Sequence, residues 1–238
     1  MELWHDFLTN DKRRMHKHTH YFPVYERHFS KFRGQSVTML EIGVGHGGSL
    51  QMWKRYFGPF ANIVGIDIRP VTAKVKESQI SIRIGRQQDE KFLAELDEEF
   101  GPFDIILDDG SHIMKNIRAS FEYLYPRMSK NGVYLVEDLS TAYWEKFGGG
   151  YRAKESFIEY AKNLIDELNA HAAKGQFEPT AFTRTTHSMC FYASMVCFER
   201  GLHFRRHGMK TGKKLDEIEP ASEGGPSPSD SQEDQADG

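Results

Sequence analysis

Two pairs of adjacent carboxylates stand out in the sequence, Asp108-Asp109 in "FDIILDDGSHIMKN" and Glu137-Asp138 in "NGVYLVEDLS". Each pair follows a short apolar run of the kind that makes a buried β-strand. Like charges at a buried strand end repel one another and raise their pKa values. A divalent cation removes that conflict. An all-oxygen ligand set with room for water or substrate suits Mg²⁺, or Mn²⁺ as a substitute, rather than Zn²⁺. Helix capping accounts for one acid of the four, but two such pairs at two successive strand ends ask for more. His112 lies three residues beyond Asp109. A lone histidine there is usually a polar loop residue. Beside a metal that lowers the pKa of a hydroxyl, its neutral imidazole can take the proton.

A glycine loop precedes both pairs. In "LEIGVGHGGS", Gly43, Gly45 and Gly48 satisfy G-x-G-x-x-G, and Ser49 follows at the opening of a helix. Such a loop lets a ligand approach main-chain N–H groups closely. Asp67 in "GIDI" ends the next strand, where a carboxylate accepts hydrogen bonds from two ribose hydroxyls. The pair predicts a nucleoside site. On the glycines alone, a nicotinamide-dependent dehydrogenase remains a rival.

The elements that must position these residues alternate. Strands are predicted in "SVTMLEIGVG", "NIVGIDIRP", "ISIRIGRQ", "FDIILDDGS" and "NGVYLVEDLS", with helices in "GGSLQMWKRYFG", in "DEKFLAELDEEFG" and after "FDIILDDGS" through about Met128. Short, continuously apolar strands alternating with helices imply βαβ units, a parallel sheet and helices on both faces. In an open parallel sheet, ligands bind outside the carboxyl ends of the strands, where the acids lie. A long helix is expected over Ala153 to Ala173, and "HSMCFYASMVCFERG" reads as strands completing the sheet. Residues 1–33 read as a helical cover with aromatic anchors, 34–212 as the main domain, and 213–238 as a disordered acidic tail. The tail carries eight acids and two lysines, so the rest of the chain is net positive although the whole has a formal charge of -3.

The 238 residues suffice for one well-packed domain. No apolar run approaches the roughly 20 residues of a membrane span, and the N-terminus lacks an apolar signal region. Cys190 and Cys197 read as buried thiols, and the location as cytoplasmic. No basic stripe with interleaved aromatics points to nucleic acid. His16, His18 and His20 read as solvated. Tyr143 and Trp144, with a mobile run Gly148–Gly150, are candidates for a lid over a sugar-like acceptor.

The combination "LEIGVGHGGS … GIDI … DDGSH … LVEDLSTAYW" resembles the Mg²⁺-dependent sugar O-methyltransferases of macrolide biosynthesis, the mycinamicin and tylosin type. It is similar, more loosely, to the cephalosporin hydroxylase/rhamnosyl O-methyltransferase group. The resemblance covers roughly residues 36–200. It implies a Rossmann-like class I methyltransferase fold, with a seven-stranded, mostly parallel sheet and S-adenosylmethionine as methyl donor. It puts Glu41 near the methionine moiety of the donor and Gln87 and Asp89 at its adenine. Asp109, Glu137 and Asp138 become metal ligands and His112 the general base. Asp108 faces the donor or holds the loop. The acceptor is a small molecule, a hydroxyl of a sugar or other natural product. The macrolide enzymes carry an additional N-terminal domain for which these 238 residues leave no room, so acceptor and homo-oligomeric state stay open. A catechol-type phenol methyltransferase is a rival within the class, but it usually has a lysine and an asparagine at spacings absent here. A nucleotide-binding module without catalysis needs neither His112 nor four strand-end acids.

Overall fold

The computed structural model describes residues 2–201 and 208–217. Seven strands form one sheet in the order β3-β2-β1-β4-β5-β7-β6. The strands are β1 Thr38–Ile42, β2 Asn62–Asp67, β3 Ile80–Ile84, β4 Ile105–Asp108, β5 Val133–Val136, β6 Thr186–Tyr192 and β7 Met195–Arg200. The first five pair in parallel, and β7 runs antiparallel to both β5 and β6. The expected architecture is therefore the observed one, a class I methyltransferase fold.

Both faces of the sheet are covered, which is why its strands read as continuous apolar runs. On one face Met39, Ile105, Leu107 and Val133 pack with α1 (Glu2–Leu8), α2 (Phe22–Phe29) and α3 (Gly48–Phe57), through Tyr21, Phe22, Tyr25, Phe29, Trp53 and Phe57. On the other, Leu40, Ile106, Tyr134 and Val136 meet α4 (Glu90–Phe100), α5 (Met114–Leu124) and α6 (Phe157–Leu168). Residues adjacent in a strand thus serve opposite cores, as a period of two requires. A last short helix, α7 (Ala181–Thr185), precedes β6.

The helix expected from Ala153 to Ala173 is shorter. Ser156 caps it by accepting from the Glu159 amide, so α6 begins at Phe157, and it ends at Leu168, before a single 3-10 turn over Ala170–Ala172. The cap satisfies a backbone donor that a longer helix would have used internally. The glycines after the fifth strand, expected as a mobile run, sit in hydrogen-bonded turns. Amides of Gly148, Gly149 and Gly150 donate to the carbonyls of Glu145, Trp144 and Ala142.

Residues Met1–Phe204 form one compact unit, and the second, Arg205–Gly238, is described only over 208–217, with one 3-10 turn at Leu215–Glu217. The acidic tail expected beyond 213 otherwise lies outside the described residues. Both cysteines are unpaired, Cys197 buried and Cys190 half-buried. Among the described residues no helix is long and apolar enough to cross a membrane.

Candidate active site

A cavity of about 790 Å³ opens at the carboxyl ends of β1, β2 and β4. The glycine loop shapes its floor. Gly43 has φ +95°, and a Cβ there would lie 2.1 Å from the backbone oxygen of Asp109. Only glycine allows this approach of the first loop to the end of β4. Gly43→Ala should therefore destabilise the fold by about 3 kcal/mol in chemical denaturation. Wild-type stability in that variant would mean that the two loops separate without cost.

Asp67 lines the cavity as expected. Its Oδ2 accepts from the amides of Val44 (3.2 Å) and Gly45 (3.3 Å). Its Oδ1 accepts from the amide (2.9 Å) and Nε (3.0 Å) of Arg69. Burial works against this carboxylate, but the Arg69 guanidinium and the backbone donors outweigh it and hold its pKa below the usual range. Arg69 was not singled out by its sequence context.

Glu41, fully buried at the head of the loop, accepts from the Ser49 hydroxyl (2.6 Å) and the Trp53 indole N–H (2.9 Å). Gln87 ties two strand ends together. Its Nε2 donates to both oxygens of Asp108 (3.1 Å each), and its Oε1 accepts from the Ser111 amide (2.8 Å). Asp108 is buried beneath the loop, bonded also by Ser120 (2.8 Å) and Tyr134 (3.2 Å). Burial pushes its carboxyl up to about 6. Of the two roles expected of Asp108, its surroundings match the loop-holding one. Asp89 does not reach the cavity wall. Its Oδ1 caps α4 by accepting from the amides of Lys91 and Phe92, a use that any helix start offers an aspartate.

At the mouth, Asp109, His112 and Asp138 converge, with one ligand atom of each within 4.8 Å of the others. His112 Nε2 lies 3.9 Å from Asp109 Oδ1 and 3.7 Å from Asp138 Oδ2. Both His112 (φ +55°) and Asp138 (φ +56°) hold left-handed backbone. For a residue with a Cβ this costs roughly 1–2 kcal/mol, and such strain gathers where a side chain must be aimed. Tyr21 locks Asp138 in place, donating from its hydroxyl to Oδ1 (2.6 Å) and accepting from the Asp138 amide (3.3 Å).

Glu137 points elsewhere, into the protein. Its Oε1 accepts from the Tyr25 hydroxyl, and its Oε2 lies 2.8 Å from the ammonium of Lys17. That ammonium also bonds Asp109 Oδ2 at 2.6 Å and stands 3.9 Å from Glu41. Burial disfavours the charged lysine, but the carboxylates around it hold its pKa well above the ordinary value. Even so, burial pushes the Glu41 carboxyl up to about 7 and that of Glu137 up as well, against the pull of Lys17. The cluster holds more negative charge than its one lysine balances. Its oxygen donors and its surplus charge fit a hard divalent cation, with Asp109 and Asp138 facing the cavity.

Besides Arg69, sequence reasoning missed Lys17 and the site contacts of Tyr21 and Tyr25, which it read only as aromatic anchors. Lys17 and the two tyrosines come from the N-terminal cover, and only their contacts across 92 to 120 residues of chain reveal them. His18 of the histidine row lies 3.7 Å from Asp138. Tyr143 (54% exposed) and Trp144 (51% exposed) lie on the turns just beyond it, with the Trp144 ring tilted against Phe147.

No protein-family model matches the chain. It is 43% identical over 160 residues to the mycinamicin VI 2''-O-methyltransferase of Micromonospora griseorubida, a match to 63% of this chain and 40% of that protein. It is 37% identical over 204 residues to the 8-demethyl-8-alpha-L-rhamnosyl tetracenomycin-C 2'-O-methyltransferase of Streptomyces olivaceus, covering 80% of this chain and 52% of the relative. Among solved structures, MycE methyltransferase from the mycinamycin biosynthetic pathway, in complex with Mg, SAH and mycinamycin VI, superposes with a TM-score of 0.74 at 36% identity. That match spans 84% of this chain and 53% of MycE. The chain spans about half the length of the relatives it matches.

Proposed function

Since this chain has the class I methyltransferase fold and resembles the sugar O-methyltransferases of antibiotic biosynthesis over most of its length, we propose that it transfers a methyl group from S-adenosylmethionine to a hydroxyl of a sugar-bearing natural product, assisted by Mg²⁺. The observation that carries this reading is the meeting of Asp109, His112 and Asp138 at the mouth of a cavity floored by the glycine loop and Asp67. The unpaired cysteines support a cytoplasmic location.

S-adenosylmethionine supplies an electrophilic methyl on a sulfonium that is already a good leaving group. A divalent cation supplies Lewis acidity toward the acceptor hydroxyl. The protein's own task is then to position the reactants and move one proton. Asp67 accepts from the donor's ribose hydroxyls while Arg69 keeps it ionised. The loop amides of residues 43–45 line the floor, and Glu41, oriented by Ser49 and Trp53, borders the methionine end. Asp109 and Asp138 would hold the cation from the cavity side, while Glu137 lies behind them on Tyr25 and Lys17. His112 Nε2 takes the acceptor proton as its oxygen attacks in line. Tyr143 and Trp144 offer the flat apolar faces that suit a sugar ring.

Calorimetry tests the donor site. Adenosylhomocysteine should bind at micromolar strength, and Asp67→Ala should weaken it by about 1.5–3 kcal/mol, the scale of a lost charged hydrogen bond. Tight NADH binding with none for adenosylhomocysteine would end this reading.

A further inference from the structure

We propose that Lys17 is the resident cation of the Asp109–Glu137 pair, and that a divalent ion displaces it and so loosens one wall of the cavity. This rests on the divalent site proposed above. The Lys17 ammonium lies 2.6 Å from Asp109 Oδ2 and 2.8 Å from Glu137 Oε2, with Glu41 at 3.9 Å. Mg²⁺ draws its oxygens to about 2.0–2.1 Å and tolerates little departure from octahedral geometry. An ion using either of these oxygens would stand against the ammonium, and two positive centres in contact in a buried cluster repel strongly. One of them must leave.

Lys17 is able to leave because of where it sits. Residues 9–18, between α1 and the 3-10 turn at Thr19–Tyr21, contain no helix or strand. Arg14, Met15, His16 and Lys17 form one wall of the cavity. The backbone oxygens of Arg13 and Arg14 rest on the start of α3, where a Cβ on Gly48 would lie 2.4 and 2.6 Å from them. The near end of the segment is tied by Arg13, which donates to the Val75 carbonyl (2.8 Å) and pairs with Glu77 (3.1 Å). The far end is tied by Tyr21 and Tyr25. Between these anchors Lys17 is the charged pin that draws the wall onto the carboxylate floor. Withdrawing the pin frees Glu137 to join Asp109 and Asp138.

The test is titration of the whole protein with MgCl₂ alone, wild type against Lys17→Met, read by calorimetry and by amide hydrogen exchange over residues 11–18. Methionine keeps the buried stem and removes the charge. Exchange of one cation for another predicts that Lys17→Met binds Mg²⁺ about tenfold more tightly or better, because no ammonium has to be expelled. It also predicts that Mg²⁺ speeds amide exchange over 11–18 in the wild type, and that the variant shows the faster exchange without metal. If Lys17 is instead a permanent brace, Lys17→Met binds Mg²⁺ equally or more weakly, and Mg²⁺ leaves wild-type exchange over 11–18 unchanged. Either result overturns the inference and leaves the divalent site standing. Failure of both proteins to bind Mg²⁺ overturns the site and the inference together. Should the variant not fold, the wild-type exchange measurement decides alone.

Discussion

His112→Ala is expected to lower turnover by about 10²–10⁴-fold, the contribution of a positioned general base, while adenosylhomocysteine affinity stays near wild type. The reason is geometric. The His112 imidazole borders the cavity beside Asp109 and Asp138, 3.9 and 3.7 Å away, and holds neither in a hydrogen bond. The donor's ribose is assigned to Asp67, at the end of another strand. Alanine at φ +55° adds backbone strain of its own. His112→Asn separates the two effects, because asparagine tolerates left-handed backbone and lacks a basic nitrogen. Both variants should be slow, and the asparagine variant should keep wild-type thermal stability. A His112→Asn enzyme that keeps most of its rate would make His112 a bystander. One that loses Mg²⁺ affinity would make it a ligand, in keeping with its place among the three convergent groups.

The second large effect is on the metal. Activity should vanish in EDTA and return with Mg²⁺ or Mn²⁺. Asp138→Asn should cost several kcal/mol of transition-state stabilisation, or ~10³-fold in rate. Asparagine at 138 preserves the left-handed backbone and can still accept from the Tyr21 hydroxyl, so the fold should survive the exchange. Its amide oxygen is a weaker ligand for a hard cation, so the apparent Mg²⁺ requirement should rise steeply. Full turnover in chelator would leave the strand-end carboxylates a structural role only.

Strand-end acids and the glycine loop were legible in the sequence because their local signal is strong. A parallel strand buried on both faces is a short apolar run, and a residue that ends it must emerge at the ligand-binding edge. That logic put Gly43, Asp67, Asp109 and Asp138 around one cavity before any coordinates. Asp89, which the resemblance put at the adenine, caps α4 instead of lining the cavity, because a helix start also takes an aspartate. Local pattern failed for the length of α6, since one serine hydroxyl decides where that helix starts.

The sequence by itself determined the order of strands and helices, the sheet's mouth and the carboxylates that gather there. These follow from hydrophobic period and from chemistry at strand ends, both of which are local. Only the tertiary structure decided how the acids are shared out. Adjacent residues leave a strand in opposite directions, so Asp138 turns to the cavity and Glu137 to the interior, where Tyr25 and Lys17 meet it. Their approach comes from an N-terminal segment 120 and 112 residues away in the chain, brought in by packing of Phe22, Phe29 and Trp53 rather than by any charge pattern. Contacts across such separations leave no periodic trace in a single sequence. The buried lysine among the acids therefore emerges from folding alone.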